Sequence, residues 1–138
     1  MPARDRFHTQ VVQALQKDGW TVTHDPLSIP FAGTYTEIDL GAQKLIAAEK
    51  GQRRIAVEIK SFVGTSQVSE FHIALGQYLN YEEALARFDP ERILYLAIPV
   101  QVHQSFFAQD IIQTIIRRHS VKLLVFDPLS EAVVSWTS

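Results

Sequence analysis

The chain has 138 residues, 46% hydrophobic and 20% charged, a balance typical of soluble globular proteins. A chain of this length can bury its own core, so we expect one domain spanning residues 1–138. It contains no cysteine, which excludes disulfides and thiolate zinc sites, and its formal net charge of -2 is unlike that of a general polyanion binder. Neither a signal peptide nor an apolar run of the roughly 18 residues that a membrane span needs is present, so we expect a cytoplasmic protein.

The predicted elements begin with a helix and a short strand. The first apolar residues recur at helical spacing, with Asp5 as a candidate cap and Gly19 as a candidate end of the helix. Residues 20–24 then alternate in the manner of a half-buried strand, which Asp25-Pro26 ends. From there to residue 33 we predict a loop.

The next part of the chain is predicted to form strands joined by a tight turn. Ile38 and Leu40 should face one side of the first of these strands and Asp39 the other. The turn is predicted at Lys50-Gly51, two residues that suit it chemically.

The clearest predicted strand covers residues 54–60. Alternation places three branched apolar side chains on one of its faces and Glu58 and Lys60 on the other. Its apolar neighbours indicate a central position in the sheet. Charged groups on a central strand are expensive unless they are paired or bound to a metal.

The second half of the chain is predicted to alternate helices with buried strands. The elements are a helix that Ser66 caps and that runs to about Phe88, a strand at 93–98, one helical region at 102–119, a strand at 121–126 and an edge strand at 132–136. Strand-helix-strand units require parallel neighbours, whereas the early strands are antiparallel. We therefore predict an α/β fold in which helices flank a mixed β-sheet.

Asp39, Glu58 and Lys60 form the candidate catalytic site. Neighbouring strands lie about 5 Å apart, so the two carboxylates could bind one Mg²⁺ or Mn²⁺, and the carbonyl of Ile59 could add an oxygen ligand. The metal would neutralise charge on a phosphodiester and lower the pKa of a bound water, which Lys60 could orient or help to deprotonate. The alternative is a purely structural ion pair between Glu58 and Lys60.

Gln77 and Tyr81 lie four residues apart on the predicted second helix and therefore share one of its faces. Their amide and hydroxyl groups could contact phosphate or support the site. The alternative is a pair on the helix surface.

The order Asp39, Glu58-x-Lys60 and Gln77-x-x-x-Tyr81 resembles the PD-(D/E)xK superfamily, and within it the RecB-like nucleases. The resemblance implies a restriction endonuclease-like core. Many members carry an additional Glu ligand on the first helix. Here that helix offers Asp5, His8 and Gln13, and since some RecB-like enzymes have a histidine there, the resemblance implies that His8 could bind the metal. An ordinary surface or core histidine is the alternative.

Over nearly its whole length, the sequence more specifically resembles the XisH family of cyanobacteria. The segments that carry the resemblance are Met1-Pro2-Ala3, Lys17-Asp18-Gly19-Trp20, Thr23-His24-Asp25-Pro26-Leu27, Asp39-Leu40-Gly41-Ala42, Lys44-Leu45-Ile46-Ala47-Ala48-Glu49-Lys50, Ala56-Val57-Glu58-Ile59-Lys60-Ser61-Phe62, Ala74-Leu75-Gly76-Gln77-Tyr78, Arg92-Ile93-Leu94-Tyr95-Leu96-Ala97 and Val125-Phe126-Asp127-Pro128. The resemblance implies an excision controlling factor in the programmed removal of a DNA element during heterocyst differentiation. Such a factor acts beside a site-specific recombinase and a small companion protein, XisI.

Two functions from different classes follow. The first is a magnesium-dependent nuclease or nuclease-like DNA-processing protein. The second is a non-catalytic module that keeps the nuclease fold to bind DNA, an XisI-like protein or the recombinase; a toxin or defence component ranks below both. An apolar edge around Trp136 would suit a homodimer or a partner protein.

Overall fold

The computed structural model describes residues 4–47 and 51–137. Met1-Pro2-Ala3, the end of the segment at 44–50 and the predicted turn residue Lys50 therefore lie outside the described residues. The helices are α1 (His8–Lys17), α2 (Gln67–Phe88), α3 (Val100–Gln104) and α4 (Asp110–Arg118), with a 3-10 helix at Phe106–Ala108. The strands are β1 (Thr21–His24), β2 (Leu27–Phe31), β3 (Thr34–Ile38), β4 (Leu40–Ala47), β5 (Gly51–Ile59), β6 (Arg92–Pro99), β7 (Leu123–Asp127) and β8 (Ala132–Trp136).

The predicted mixed sheet is confirmed. Six strands pair in the order β1-β4-β5-β6-β7-β8, and β2 and β3 form a separate two-stranded sheet. The β5–β6 and β6–β7 pairs are parallel and the remaining pairs are antiparallel. β5 is a central strand and β8 an edge strand, as the sequence predicts. Within the described residues, no helix is both long and apolar enough to cross a membrane.

The two faces of the central sheet bury two separate hydrophobic cores. α1 packs on one face with Val11 and Leu15, and α2 covers the other with Phe71 and Tyr78. β5 supplies both cores in alternation: its branched side chains face α1, whereas Ala56 faces α2. By the same alternation, Glu58 lies on the α2 side of the sheet.

Ile38 and Leu40 do not share one face, and that prediction is wrong. Both side chains are fully buried, but Ile38 belongs to the core under α2 and Leu40 to the core under α1. The reason is that β3 ends at Ile38 and β4 begins at Leu40, so the chain passes at Asp39 from the small sheet to the large one. Strand alternation does not continue across such a junction.

The prediction of a loop that runs to residue 33 is also wrong, because β2 and β3 form a hairpin there. Its turn has positive φ at both Ala32 (50°) and Gly33 (78°), the combination found in two-residue hairpin turns. Leu27 and Ile29 alternate inward and are 6% and 3% exposed, which explains why the segment is a strand. Pro30 is tolerated because β2 pairs on one side only.

The prediction of one continuous helical region over residues 102–119 is wrong. The helix is interrupted at Ser105 and Gln109, between which lies the 3-10 helix. Phe106 and Phe107 are 5% and 0% exposed. Both rings belong to the core under α2, and the extended backbone of Gln109 (φ -67°, ψ 141°) separates the 3-10 helix from α4.

Candidate functional site

Asp39 and Glu58 lie side by side at the junction between the small and the large sheet, and each carboxylate accepts a hydrogen bond from the backbone of the other segment. The pairing of Leu40 with Val57 brings Asp39 beside Glu58. The Asp39 backbone N–H donates to Glu58 Oε1 at 3.3 Å, and the Ile59 N–H donates to Asp39 Oδ2 at 2.8 Å. The structure therefore brings the two carboxylates together as the sequence predicts.

Lys60 follows the last residue of β5 and forms an ion pair with Glu58. Its Nζ lies 3.7 Å from Glu58 Oε2, and its side chain is 22% exposed. Its backbone N–H donates to the carbonyl of Ala97 at 3.0 Å, which fixes the backbone of Lys60 against β6. The ion pair keeps the ammonium group beside the carboxylates. This arrangement is compatible both with a purely structural ion pair and with a lysine that takes part in chemistry.

Burial and mutual repulsion make it costly for both carboxylates to be charged. Burial raises the pKa of Glu58, and the Asp39 charge raises it further, to about 8, against a smaller lowering by Lys60. Burial likewise raises the pKa of Asp39, partly offset by the hydrogen bond from Ile59. Since both carboxylates interact, they titrate as a pair. A divalent cation between them would offset the same repulsion.

Gln77 and Tyr81 lie one turn apart on α2, the helix that covers the face of the sheet on which Glu58 lies. Tyr81 is 6% exposed and is therefore not a surface residue. Burial and then the charge of Glu58 raise the pKa of Tyr81 to about 12, with a smaller contribution from Asp39 and an opposing one from a hydrogen bond with Thr36. Gln77 is half-buried, and within the described residues its enclosed Oε1 has no hydrogen-bond partner.

His8 is a buried residue of the first turn of α1. It is 4% exposed, its Nε2 lies 2.9 Å from Asp25 Oδ1, and its charge would lower the pKa of Asp39. Its other ring nitrogen, Nδ1, is enclosed and has no hydrogen-bond partner among the described residues. Of the two ordinary positions expected for His8, the structure therefore excludes the surface and leaves a core histidine.

Asp5 connects the start of α1 to the turn that follows Lys60. Its Oδ1 accepts from the Phe7 N–H at 2.9 Å and its Oδ2 from the Ser61 N–H at 3.0 Å. Because α1 begins at His8, Asp5 caps the turn before the helix rather than the helix itself. Gln13, the remaining candidate on α1, is exposed.

The contacts of Asp5 with Ser61 and of Asp25 with His8 were missed from sequence. They join residues 56 and 17 positions apart, and the only local signal was that Asp25 precedes a proline. In residues 4–47 and 51–137, no three His, Asp or Glu side chains are grouped to hold a metal ion. The candidate centre is therefore the carboxylate pair of Asp39 and Glu58.

The fold and these contacts define a mixed-sheet α/β protein in which the buried carboxylate of Glu58 and the half-buried carboxylate of Asp39 lie beside a lysine. The family model described as "XisH protein" matches residues 1–134, and the chain belongs to the XisH family.

Two solved structures resemble the chain over almost its full length. A crystal structure of an XisH family protein from Nostoc punctiforme PCC 73102 is 42% identical with a TM-score of 0.88, covering 97% of this chain and 100% of that one. A crystal structure of a fdxN element excision controlling factor protein from Anabaena variabilis is 43% identical with a TM-score of 0.89, covering 98% and 100%. No curated protein matches the chain.

Proposed function

We propose that this protein is a metal-dependent, nuclease-like DNA-processing protein with a restriction endonuclease-like core that acts in the excision of a DNA element. The observation that carries the proposal is the interlocked pair of Asp39 and Glu58 at the end of a central strand, with Lys60 ion-paired to it. The description of the Anabaena variabilis relative as an excision controlling factor supports the DNA-excision role.

The donor set suits Mg²⁺ or Mn²⁺, which take one or two carboxylates and complete their coordination with water and phosphate oxygens. Asp39 and Glu58 would hold the ion, with the Ile59 carbonyl and His8 as further ligands. When bound, the metal would neutralise charge on a phosphodiester and lower the pKa of a bound water. The ammonium of Lys60 would donate a hydrogen bond to that water or to a phosphate oxygen.

Gln77 and Tyr81 would support the site from α2. Among the residues that the structure describes, the Oε1 of Gln77 has no hydrogen-bond partner, and the hydroxyl of Tyr81, whose pKa is raised to about 12, stays protonated at neutral pH. Together they would orient a water or a phosphate next to the carboxylates.

Calorimetric titration with Mn²⁺ and Mg²⁺ tests the proposal. We expect one saturable site in the wild type, lost in the Asp39→Asn, Glu58→Gln double variant because both anionic ligands are removed. Glu37→Gln is the matched control, since Glu37 is an exposed carboxylate on β3 two residues before Asp39. Wild-type protein that binds neither ion and cleaves no form of DNA would refute the proposal.

The second candidate is a non-catalytic module that uses the same fold to bind partners. It is favoured by the net charge of -2 and by the lack of a three-ligand group among the described residues. Its partners would be DNA, an XisI-like protein, a site-specific recombinase or a second copy of the chain. Loss of excision in Glu58→Ala with partner binding intact would argue against it.

A further inference from the structure

A cavity of about 380 Å³ lies where the end of α4, the start of β7 and the residue after β8 meet. Its lining includes three basic side chains, those of His103, Arg117 and Lys122, and, among the residues that the structure describes, no acidic one. Lys122 precedes β7 at the amino end of the parallel strands, whereas the candidate centre of Asp39 and Glu58 lies at their carboxyl end. The cavity is therefore separate from that centre.

The positive charges of Arg117 and Lys122 are not used by carboxylates of the protein. Within residues 4–47 and 51–137, neither side chain forms an ion pair, although Glu82 and Lys122 line the same smaller cavity nearby. The Nη2 of Arg117 makes one long contact of 3.4 Å with the Thr114 hydroxyl. Backbone N–H groups of the turn that follows α4 donate to the last carbonyls of the helix, so the helix end does not require these cations as caps.

The rest of the lining combines an apolar wall with a hydroxyl group. The wall consists of Ile116, Val121 and Leu123, which are 8%, 3% and 3% exposed. The Thr137 hydroxyl accepts from the Leu123 N–H at 2.9 Å, whereas its own contact with the Leu123 carbonyl is long, at 3.4 Å. Its proton can therefore turn to an acceptor in the cavity.

We propose that this cavity binds a small organic phosphate of the mononucleotide class, with Arg117 and Lys122 on the phosphate group and the apolar wall on the organic part. The two cations match the nearly two negative charges of a phosphate monoester, and guanidinium and ammonium groups both bind phosphate well. They also exceed the roughly half negative charge at the carboxyl end of α4. The volume of about 380 Å³ lies in the lower part of the range for small-molecule sites. The proposal is independent of the metal site at Asp39.

Two-dimensional ¹H–¹⁵N NMR during titration with adenosine monophosphate tests the proposal and locates the site. We expect saturable shifts of the backbone amides of Val121 and Leu123. Inorganic phosphate should bind the same place more weakly because it lacks the apolar contacts, and adenosine should cause no shift because it lacks the charge. Unshifted amides at about 10 mM adenosine monophosphate, which corresponds to binding weaker than about 3 kcal/mol, would overturn the proposal. Shifts with a 5′-phosphorylated DNA oligonucleotide alone would overturn it as well, because the site would then serve nucleic acid.

Variants of single cations separate a built site from a general attraction to positive charge. Arg117→Gln and Lys122→Gln should each weaken binding of adenosine monophosphate about tenfold or more, because each removes a charged donor. Arg118→Gln is the matched control: Arg118 is the exposed neighbour of Arg117, lies outside the cavity lining and carries the same charge. It should keep the wild-type affinity. Equal weakening in all three variants, or in none, would overturn the proposal.

Discussion

At the scale of single residues, Glu58 should make the free energy of unfolding depend on pH. Its pKa is about 8 in the folded protein against an ordinary value of 4.5, so the folded state retains a proton that the unfolded state releases. The stability that this proton provides is complete below pH 4.5 and is lost as pH rises toward 8. Glu58→Gln should remove the loss, which is on the order of a few kcal/mol.

Urea unfolding at about pH 5 and about pH 8 measures this effect. Relative to the wild type, Glu58→Gln should become more stable as pH rises, and Glu37→Gln should not, because Glu37 is exposed. Equal pH dependence in the wild type and Glu58→Gln would show that Glu58 is already charged in the folded state near neutral pH.

The neighbourhood of Asp39, Glu58 and Lys60 was predictable because it follows from local rules. Alternation put Glu58 and Lys60 on one face, and the register of two adjacent strands added Asp39. The roles of Asp5 and Asp25 were not predictable in this way. Both depend on where α1 packs relative to β5, which no periodicity in the sequence encodes.

At the scale of elements, the cap of α2 should contribute to stability. The Ser66 side chain accepts from the Ser69 N–H at 3.2 Å and satisfies a donor at the helix start. Ser66→Ala should lower the free energy of unfolding by about 1 kcal/mol, measured as a lower urea midpoint with an unchanged slope. Ser28→Ala, at an exposed position on β2, should leave the midpoint in place. Equal midpoints for the two variants would mean that the cap contributes nothing.

Elements with one strong periodicity were predicted well, and those in which two signals conflict were not. β5 and α2 have clear alternation or helical spacing together with capping residues. In β2, Pro30 indicated a break although Leu27 and Ile29 alternate. Over residues 102–119, helical spacing predicted continuity, whereas the backbone of Ser105 and Gln109 is not helical.

At the scale of the whole molecule, the candidate site lies where opposite layers meet. α1 packs on one face of the sheet and brings His8, whereas α2 packs on the other and brings Tyr81. Electrostatic interactions link His8 to Asp39, and Tyr81 to Glu58 and Asp39, near the carboxyl end of β5, whose neighbour β6 is parallel. Carboxyl ends of parallel strands are common ligand sites in α/β proteins, and the layered fold places Asp39 and Glu58 at such an end.

Asp18, which follows α1 near the beginning of the chain, is hydrogen-bonded to the edge strand β8 near its end. Its Oδ2 accepts from the indole N–H of Trp20 at 3.2 Å and of Trp136 at 3.3 Å, and the two rings lie 5.5 Å apart. Asp18 therefore ties the end of α1 to the edge strand β8. Asp18→Ala removes a charged acceptor from two donors and should lower the free energy of unfolding by about 1–3 kcal/mol.

Urea unfolding followed by tryptophan fluorescence measures the effect of Asp18→Ala directly, because the chain contains two tryptophans and both donate to this carboxylate. Glu37→Ala removes an exposed carboxylate and should leave the midpoint unchanged. If Asp18→Ala changed the emission of the native protein but not the midpoint, the carboxylate would orient the rings without stabilising the fold. The packing of α1 on β8 would then rest on apolar contacts and on the hydrogen bond from Lys17 to the carbonyl of Ser130 before β8. A lower midpoint would instead show that these hydrogen bonds help to hold α1, and with it His8, in place.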